Sequence, residues 1–112
     1  MITKEFISDY DRCLKYWGEE SEMRMCIEEM SELTKELCKY IRYSKFESSP
    51  ELKQKLKDTK ANIIEEIADV FNTLEQLEHI FGEQEVEKIR KSKMKRLNGL
   101  LNNWEKVNNI TK

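Results

Sequence analysis

Two stretches decide how this chain folds: CIEEMSELTKEL, from Cys26 to Leu37, and IIEEIADVFNTL, from Ile63 to Leu74. At one constant offset they pair Ile27 with Ile64, Glu28 with Glu65, Glu29 with Glu66, Glu32 with Asp69 and Leu37 with Leu74. In both, apolar residues recur at spacings of three and four, which marks one face of an α-helix. The first stripe centres near Met30 and Leu37, the second near Ile67 and Leu74. At about 100° per residue, Glu29 lies roughly 80° to one flank of its stripe and Glu32 roughly 140° round on the same side. Glu66 and Asp69 take the same two positions on the later helix, so direction repeats as well as spelling.

Direction matters because an antiparallel pair of helices is related by a two-fold axis perpendicular to both. Equivalent flanks then come to the same side of the pair. A connection that returns the chain makes an antiparallel hairpin the economical arrangement. If the helices pair by their stripes, Glu29, Glu32, Glu66 and Asp69 converge on one groove, while Glu28 and Glu65 point farther outward.

Outward from this pair, the helical pattern covers most of the chain. Thr3 reads as the cap of a first helix bearing Phe6, Tyr10, Cys13, Leu14 and Trp17, with Gly18 as its stop. Ser21 reads as the cap of a second, which carries Met23, Cys26, Met30, Leu33, Leu37, Tyr40 and Ile41 and runs to about Tyr43. Ser48, Ser49 and Pro50 ahead of Glu51 read as the next start. ELKQKLKDTKAN is either a short helix of its own or the leading end of the helix of Ile63, Ile67, Val70, Leu74, Leu77 and Phe81, which Gly82 ends. A last helix from about Gln84 sets Val86, Ile89, Leu97 and Leu100 against a basic side of Lys88, Arg90, Lys91, Lys93, Lys95 and Arg96. The tail 102–112, rich in Asn, is expected to fray, with Trp104 able to pack on the body or on a partner.

The 112 residues suit one domain, 1–112, and a domain this small buries only about two-thirds of its chain surface. The expected fold is all-α: an antiparallel helical bundle of four to five helices, completed by oligomerisation. Charged and hydrophobic residues each make up 38% of the chain, with 3 Gly and 1 Pro, which favours amphipathic helices over a turn-rich β fold. A formal net charge of -2 gives no global pull toward nucleic acid or acidic membranes. No apolar run approaches a membrane span, and MITKEFISDYDR lacks the apolar core of a signal peptide. These features predict a cytoplasmic protein with no nucleic-acid or membrane partner. Cys13, Cys26 and Cys38 lack CxxC spacing and read as buried reduced thiols, and Met23, Met25, Met30 and Met94 as core fillers. His79, with Gln76 rather than Glu three residues before it, reads as a surface residue and not as part of a di-iron site.

Four converging carboxylates repel, and the repulsion is offset by raised pKa values, basic partners or a divalent cation. An all-carboxylate cluster without His or Cys selects a hard ion, commonly Mg²⁺, with Mn²⁺ able to substitute. The bland alternative is two solvated helix faces with i, i+4 partners such as Lys35, Lys39 or Arg42. The second copy at a matched angle weighs against it.

With these residues in place, the chain resembles the MazG-like all-α nucleoside triphosphate pyrophosphohydrolases, a family related to dimeric dUTPases and phosphoribosyl-ATP pyrophosphohydrolase. The family pattern EExxE followed by ExxD is matched by Glu28-Glu29-Met30-Ser31-Glu32 and Glu66-Ile67-Ala68-Asp69. The resemblance spans about residues 10 to 101. It implies Glu29, Glu32, Glu66 and Asp69 as Mg²⁺ ligands and a nucleoside triphosphate as substrate, split between the α and β phosphates. It implies phosphate contacts from Lys93 and Arg96, and a homodimer or dimer of dimers whose pocket is lined by more than one subunit. Glu28 or Glu29 could orient the attacking water. Trp17 is either core or a platform for a base. The stretch ESSPELKQKLKDTK is longer than the link in many relatives, which bears on substrate choice. The rival reading is a non-catalytic helical interaction protein that keeps the bundle.

Overall fold

The structure is a computed structural model that describes residues 1–46 and 49–110. Glu47, Ser48, Thr111 and Lys112 lie outside the described residues, and with them the cap read at Ser48 and the last two residues of the tail. A 3₁₀ turn, Lys4–Phe6, leads into α1, Ile7–Ser44; α2 is Pro50–Phe81 and α3 is Glu83–Val107. Among the described residues there is no strand, and no helix is long and apolar enough to cross a membrane. The all-α expectation stands, in three long helical elements of which α1 is kinked at Gly18.

The start and stop residues explain most of these bounds. Ser49 accepts the Leu52 amide at 3.1 Å and Pro50 occupies the first turn, where its missing N–H costs nothing. Gly82, at φ 121 and ψ 106, is the whole joint between α2 and α3. Glu83 and Glu85 sit in the first turn of α3, against the positive end of its dipole. Three readings are corrected. Gly18, at φ 84 and ψ 168, breaks the helix as expected, so Ile7–Ser44 is two helical segments joined at a kink; the second resumes at Glu19, and Ser21 lies inside it and does not cap it. The Thr3 side chain caps nothing, because its hydroxyl donates to Glu75 on α2 at 2.7 Å. The frayed tail is corrected in that α3 stays helical past Asn102 to Val107; of the two readings open for ELKQKLKDTKAN, it is the leading end of α2.

The long helices α1 and α2 form the antiparallel hairpin, and α3 leaves it at the Gly82 elbow, touching α2 only there. The result is an L of 49 × 43 × 22 Å. Its radius of gyration is 18.9 Å, against about 13 Å for a compact domain of this length. The chain therefore does not wrap a closed core of its own.

The hairpin does not pair by the centres of its apolar stripes. Met30, Leu37, Ile67 and Leu74 are 39–43% exposed. Buried and half-buried residues that line the seam include Glu22, Cys26, Glu29, Leu33, Glu36 and Tyr40 on α1, and Leu56, Thr59, Ile63, Glu66, Val70 and Thr73 on α2. Both sets step by four and three, the narrow seam by which two helices meet. Each apolar stripe is wider than this seam and overhangs it on one side, so two helices alone cannot cover it. Met25 and Met94 are also exposed, and so is Cys38; of the three free thiols only Cys26 is fully buried. The core-filler reading is corrected for Met25, Met30 and Met94, while Met23 is half-buried, and the buried reading of Cys38 is corrected as well.

The seam is polar at every seventh residue. The contact of Glu29 with Glu66 sets a register that faces Glu22 with Thr73 and Glu36 with Thr59, and all four of these outer residues are buried. Thr73 and Thr59 each give their hydroxyl proton to a carbonyl of their own helix, Val70 and Lys55, so they offer the carboxylates no donor. Burial raises the Glu22 carboxyl above the usual carboxylate range. A raised folded pKa means that Glu22 favours the fold when protonated, and that this contribution is lost as pH rises through the folded value. Glu22→Gln is therefore expected to raise Tm by a few degrees at neutral pH and by nothing below about pH 4, where the carboxyl is protonated in both states. Thermal melts across pH check it; an equal shift at both ends would tie the effect to packing.

A strap of residues 1–3 closes the other end. The Met1 amino group reaches Glu78 at 3.0 Å and Glu87 at 2.8 Å, and the Ile2 amide donates to Glu83 at 3.0 Å. Glu75 is buried enough to raise its pKa, but donors from the Tyr10 hydroxyl and from the Thr3 hydroxyl and amide outweigh this and hold it below the usual range. Its sign is opposite to that of Glu22: its contribution is present above the unfolded carboxylate pKa and lost as pH falls through the folded one. His79 is half-buried and pairs with Asp11 across α1 and α2, which corrects its reading as a bystander on the surface.

Candidate metal centre

The central rung of the seam is where the two look-alike stretches meet. Glu29 from α1 and Glu66 and Asp69 from α2 each offer a carboxylate oxygen, and these oxygens all lie within 4.8 Å of one another. The helical pattern explains the convergence: Glu66 sits at the seam, Asp69 follows it by three residues and points to the outer side, and Glu29 meets both from the facing helix. Glu32 is exposed, yet close enough to add its charge at Glu66. Three of the four expected ligands are brought together, with the fourth on the rim.

The electrostatics are those of a site lacking positive charge. The Glu66 carboxyl is raised above the usual range, first by desolvation, then by the Glu29 carboxyl against it, then by Asp69 and Glu32. Its Oε2 is buried without a hydrogen-bond partner. Among the described residues no Lys or Arg forms an ion pair with Glu29, Glu32, Glu66 or Asp69. A hard divalent cation suits this arrangement: an all-oxygen donor set, clustered negative charge and an orphaned buried oxygen. Glu29, Glu66 and Asp69 would hold it, and Glu32 is placed to join them.

The other candidate residues lie elsewhere. Glu28 and Glu65 are exposed and point away, as the angular reading expects. Trp17 is 66% exposed, so it is not core, and it precedes the Gly18 kink whereas Glu29 follows it. Lys93 and Arg96 are exposed on α3, which does not approach α1. The segment 49–60 lengthens the hairpin at its far end, where Leu56 and Thr59 face Tyr40 and Glu36, one heptad from the carboxylates. Sequence reasoning missed the outer rungs, Glu22 and Glu36. The signal was the seven-residue spacing of Glu22, Glu29 and Glu36 opposite Thr59, Glu66 and Thr73.

Compared with protein-family models, curated proteins and solved structures, the chain matches none.

Proposed function

We propose that this chain is a Mg²⁺-dependent nucleotide pyrophosphohydrolase of the MazG-like type, converting a (d)NTP to its monophosphate and pyrophosphate to clear unwanted nucleotides, and acting as a homo-oligomer. The observation that carries the reading is the meeting of Glu29, Glu66 and Asp69 within 4.8 Å, on the motifs EExxE and ExxD. When bound there, Mg²⁺ supplies charge neutralisation at the phosphates and an acidified water. The chain's own residues do the rest. Glu66 and Asp69 anchor the cation from α2, and Glu32 holds its rim. Glu29, inside the cluster, is better placed than the outward Glu28 to orient the attacking water and accept its proton. Lys93 and Arg96 stand clear of their own hairpin, so they are available to phosphates only on another copy.

A non-catalytic helical interaction protein is the second reading, favoured by the exposed apolar face of the hairpin. One assay separates the two. Incubation with a panel of (d)NTPs and Mg²⁺ is expected to yield monophosphate and pyrophosphate. Orthophosphate as the product, or no turnover with any nucleotide, would contradict the enzyme.

A further inference from the structure

We propose that α3 docks duplex DNA, its lysine face lying along the major groove while the Gly82 elbow holds the hairpin clear. The proposal rests on this face alone, not on the carboxylate cluster or its chemistry.

The balance of charge behind the expectation of no nucleic-acid partner is an average over two regions of opposite sign. Glu83–Val107 carries seven basic residues against four acidic, and the rest of the chain carries eighteen acidic against thirteen basic. Within the arm the acids keep to the ends. From Lys88 to Trp104 there are six basic residues and none acidic, and every residue of that span is exposed. Of the six, only Arg90 has an ion-pair partner among the described residues, Glu87 at 2.8 Å. The other five are not neutralised locally.

The cations also have a side. At about 100° per residue, Lys88, Lys91, Lys95 and Lys106 fall within about 60° of one line, with Asn98 and Gly99 on its two flanks. The apolar stripe of Val86, Ile89, Leu97 and Trp104 centres on the opposite side of the helix, so whatever covers that stripe leaves the lysines open. Lys93 and Arg96, the residues proposed above for a nucleotide's phosphates, point elsewhere: Lys93 falls in the stripe and Arg96 on its border. A face of lysines without acids suits a regular row of phosphates. Gly99 lets the backbone approach closely, and Asn98 can bond the edge of an adenine.

Geometry selects the duplex. A helix with its side chains is about 10–12 Å across and fits the B-form major groove, about 12 Å wide, whereas the narrow major groove of duplex RNA does not admit it. A single strand is gripped by stacking on aromatic rings, and Trp104, the one aromatic residue of the arm, lies on the apolar side. The elbow keeps the hairpin's acids from repelling a polyanion. α3 touches α2 only there, and the Met1 amino group fixes the joint by bridging Glu78 of α2 and Glu87 of α3. Lys95 lies about 20 Å along the arm from Gly82, beyond two Debye lengths of about 8 Å each at physiological ionic strength. A lipid surface fits less well, because Arg90 and Lys93 fall within the stripe that an interfacial helix buries.

Fluorescence anisotropy of a labelled duplex DNA of about two helical turns, with the full chain in EDTA to keep divalent cations from the carboxylates, tests this. Binding is expected at low salt, with log K falling against log salt at a slope of about -4, as for four phosphates neutralised at about 0.9 each. K88Q, K91Q and K95Q together keep good helix formers at exposed positions and are expected to reduce the slope to about -1. K53Q, K57Q and K60Q, at exposed positions on α2, make the same change in net charge and are expected to leave the slope unaltered. Absence of binding at low salt, equal loss in the two variants, tighter binding to single-stranded DNA or duplex RNA, or co-sedimentation with phosphatidylglycerol vesicles in place of DNA binding would each overturn it. A second measurement does not depend on the glutamine variants: a photo-crosslinking residue at position 99 is expected to reach the DNA and one at position 97, on the apolar side, is not. Crosslinks from 97 and none from 99 would overturn the proposal as well. A chain that binds DNA but turns over no nucleotide would leave this surface in place and remove only the chemistry; turnover without DNA binding would do the reverse.

Discussion

Asp69→Asn is expected to lower Mg²⁺-dependent release of pyrophosphate by about 10²–10³-fold, the scale for losing one group that stabilises transition-state charge, with no change in helix content. Asp69 is half-exposed on the outer side of the seam, and the amide has nearly the same shape, so the fold has no reason to respond. What changes is one negative charge in a cluster whose oxygens lie within 4.8 Å. Glu65→Gln is the matched control, because Glu65 is also a carboxylate residue, on the same helix and exposed away from the cluster. Its turnover should stay within a few-fold of the unaltered chain. Full activity in the Asp69 variant would remove that residue from the site.

The second large effect is on stability. A cation that binds only the folded chain stabilises it by about 2.7 kcal/mol at a hundred times its Kd, and for a domain of this size each kcal/mol moves Tm by about 4–8 °C. Saturating Mg²⁺ is therefore expected to raise Tm by about 10 °C or more. Glu66→Gln should abolish this shift while raising Tm in the absence of divalent ions. The sign of the second part follows from the raised Glu66 carboxyl: its ionised form opposes folding as pH passes the folded value, and the amide has no such form. A residue that merely packs would lower Tm under both conditions. A variant that kept the full Mg²⁺ shift would place the cation elsewhere.

The helices, their breaks at Gly18 and Gly82, the Ser49–Pro50 start and the convergence of the paired carboxylates were all legible from residue spacing. So was the outward direction of Glu28. The part of each stripe that would form the seam was not. Met30, Leu37, Ile67 and Leu74 are the centres of broad apolar arcs, and periodicity locates a centre without saying how many neighbours will share the arc. Two helices use only a narrow edge of it, and that edge here contains Glu22, Glu29 and Glu36, residues that composition assigns to solvent. The strap was hidden for a different reason. Thr3 has the chemistry of a cap, and only the position of Glu75 some seventy residues away turns its hydroxyl elsewhere. Lys93 and Arg96 were read beside the acidic groove, whereas the one-residue joint at Gly82 carries them away from it.

Electron paramagnetic resonance of Mn²⁺ reads out whether the repeated carboxylates form one divalent-cation site. Titrating the chain into Mn²⁺ is predicted to quench the signal of the free ion with saturating stoichiometry, and a chain carrying E66Q and D69N together is predicted to leave it unchanged. An undiminished free-ion signal with the unaltered chain would mean that the carboxylates hold no cation, and equal quenching by both chains would place the cation elsewhere.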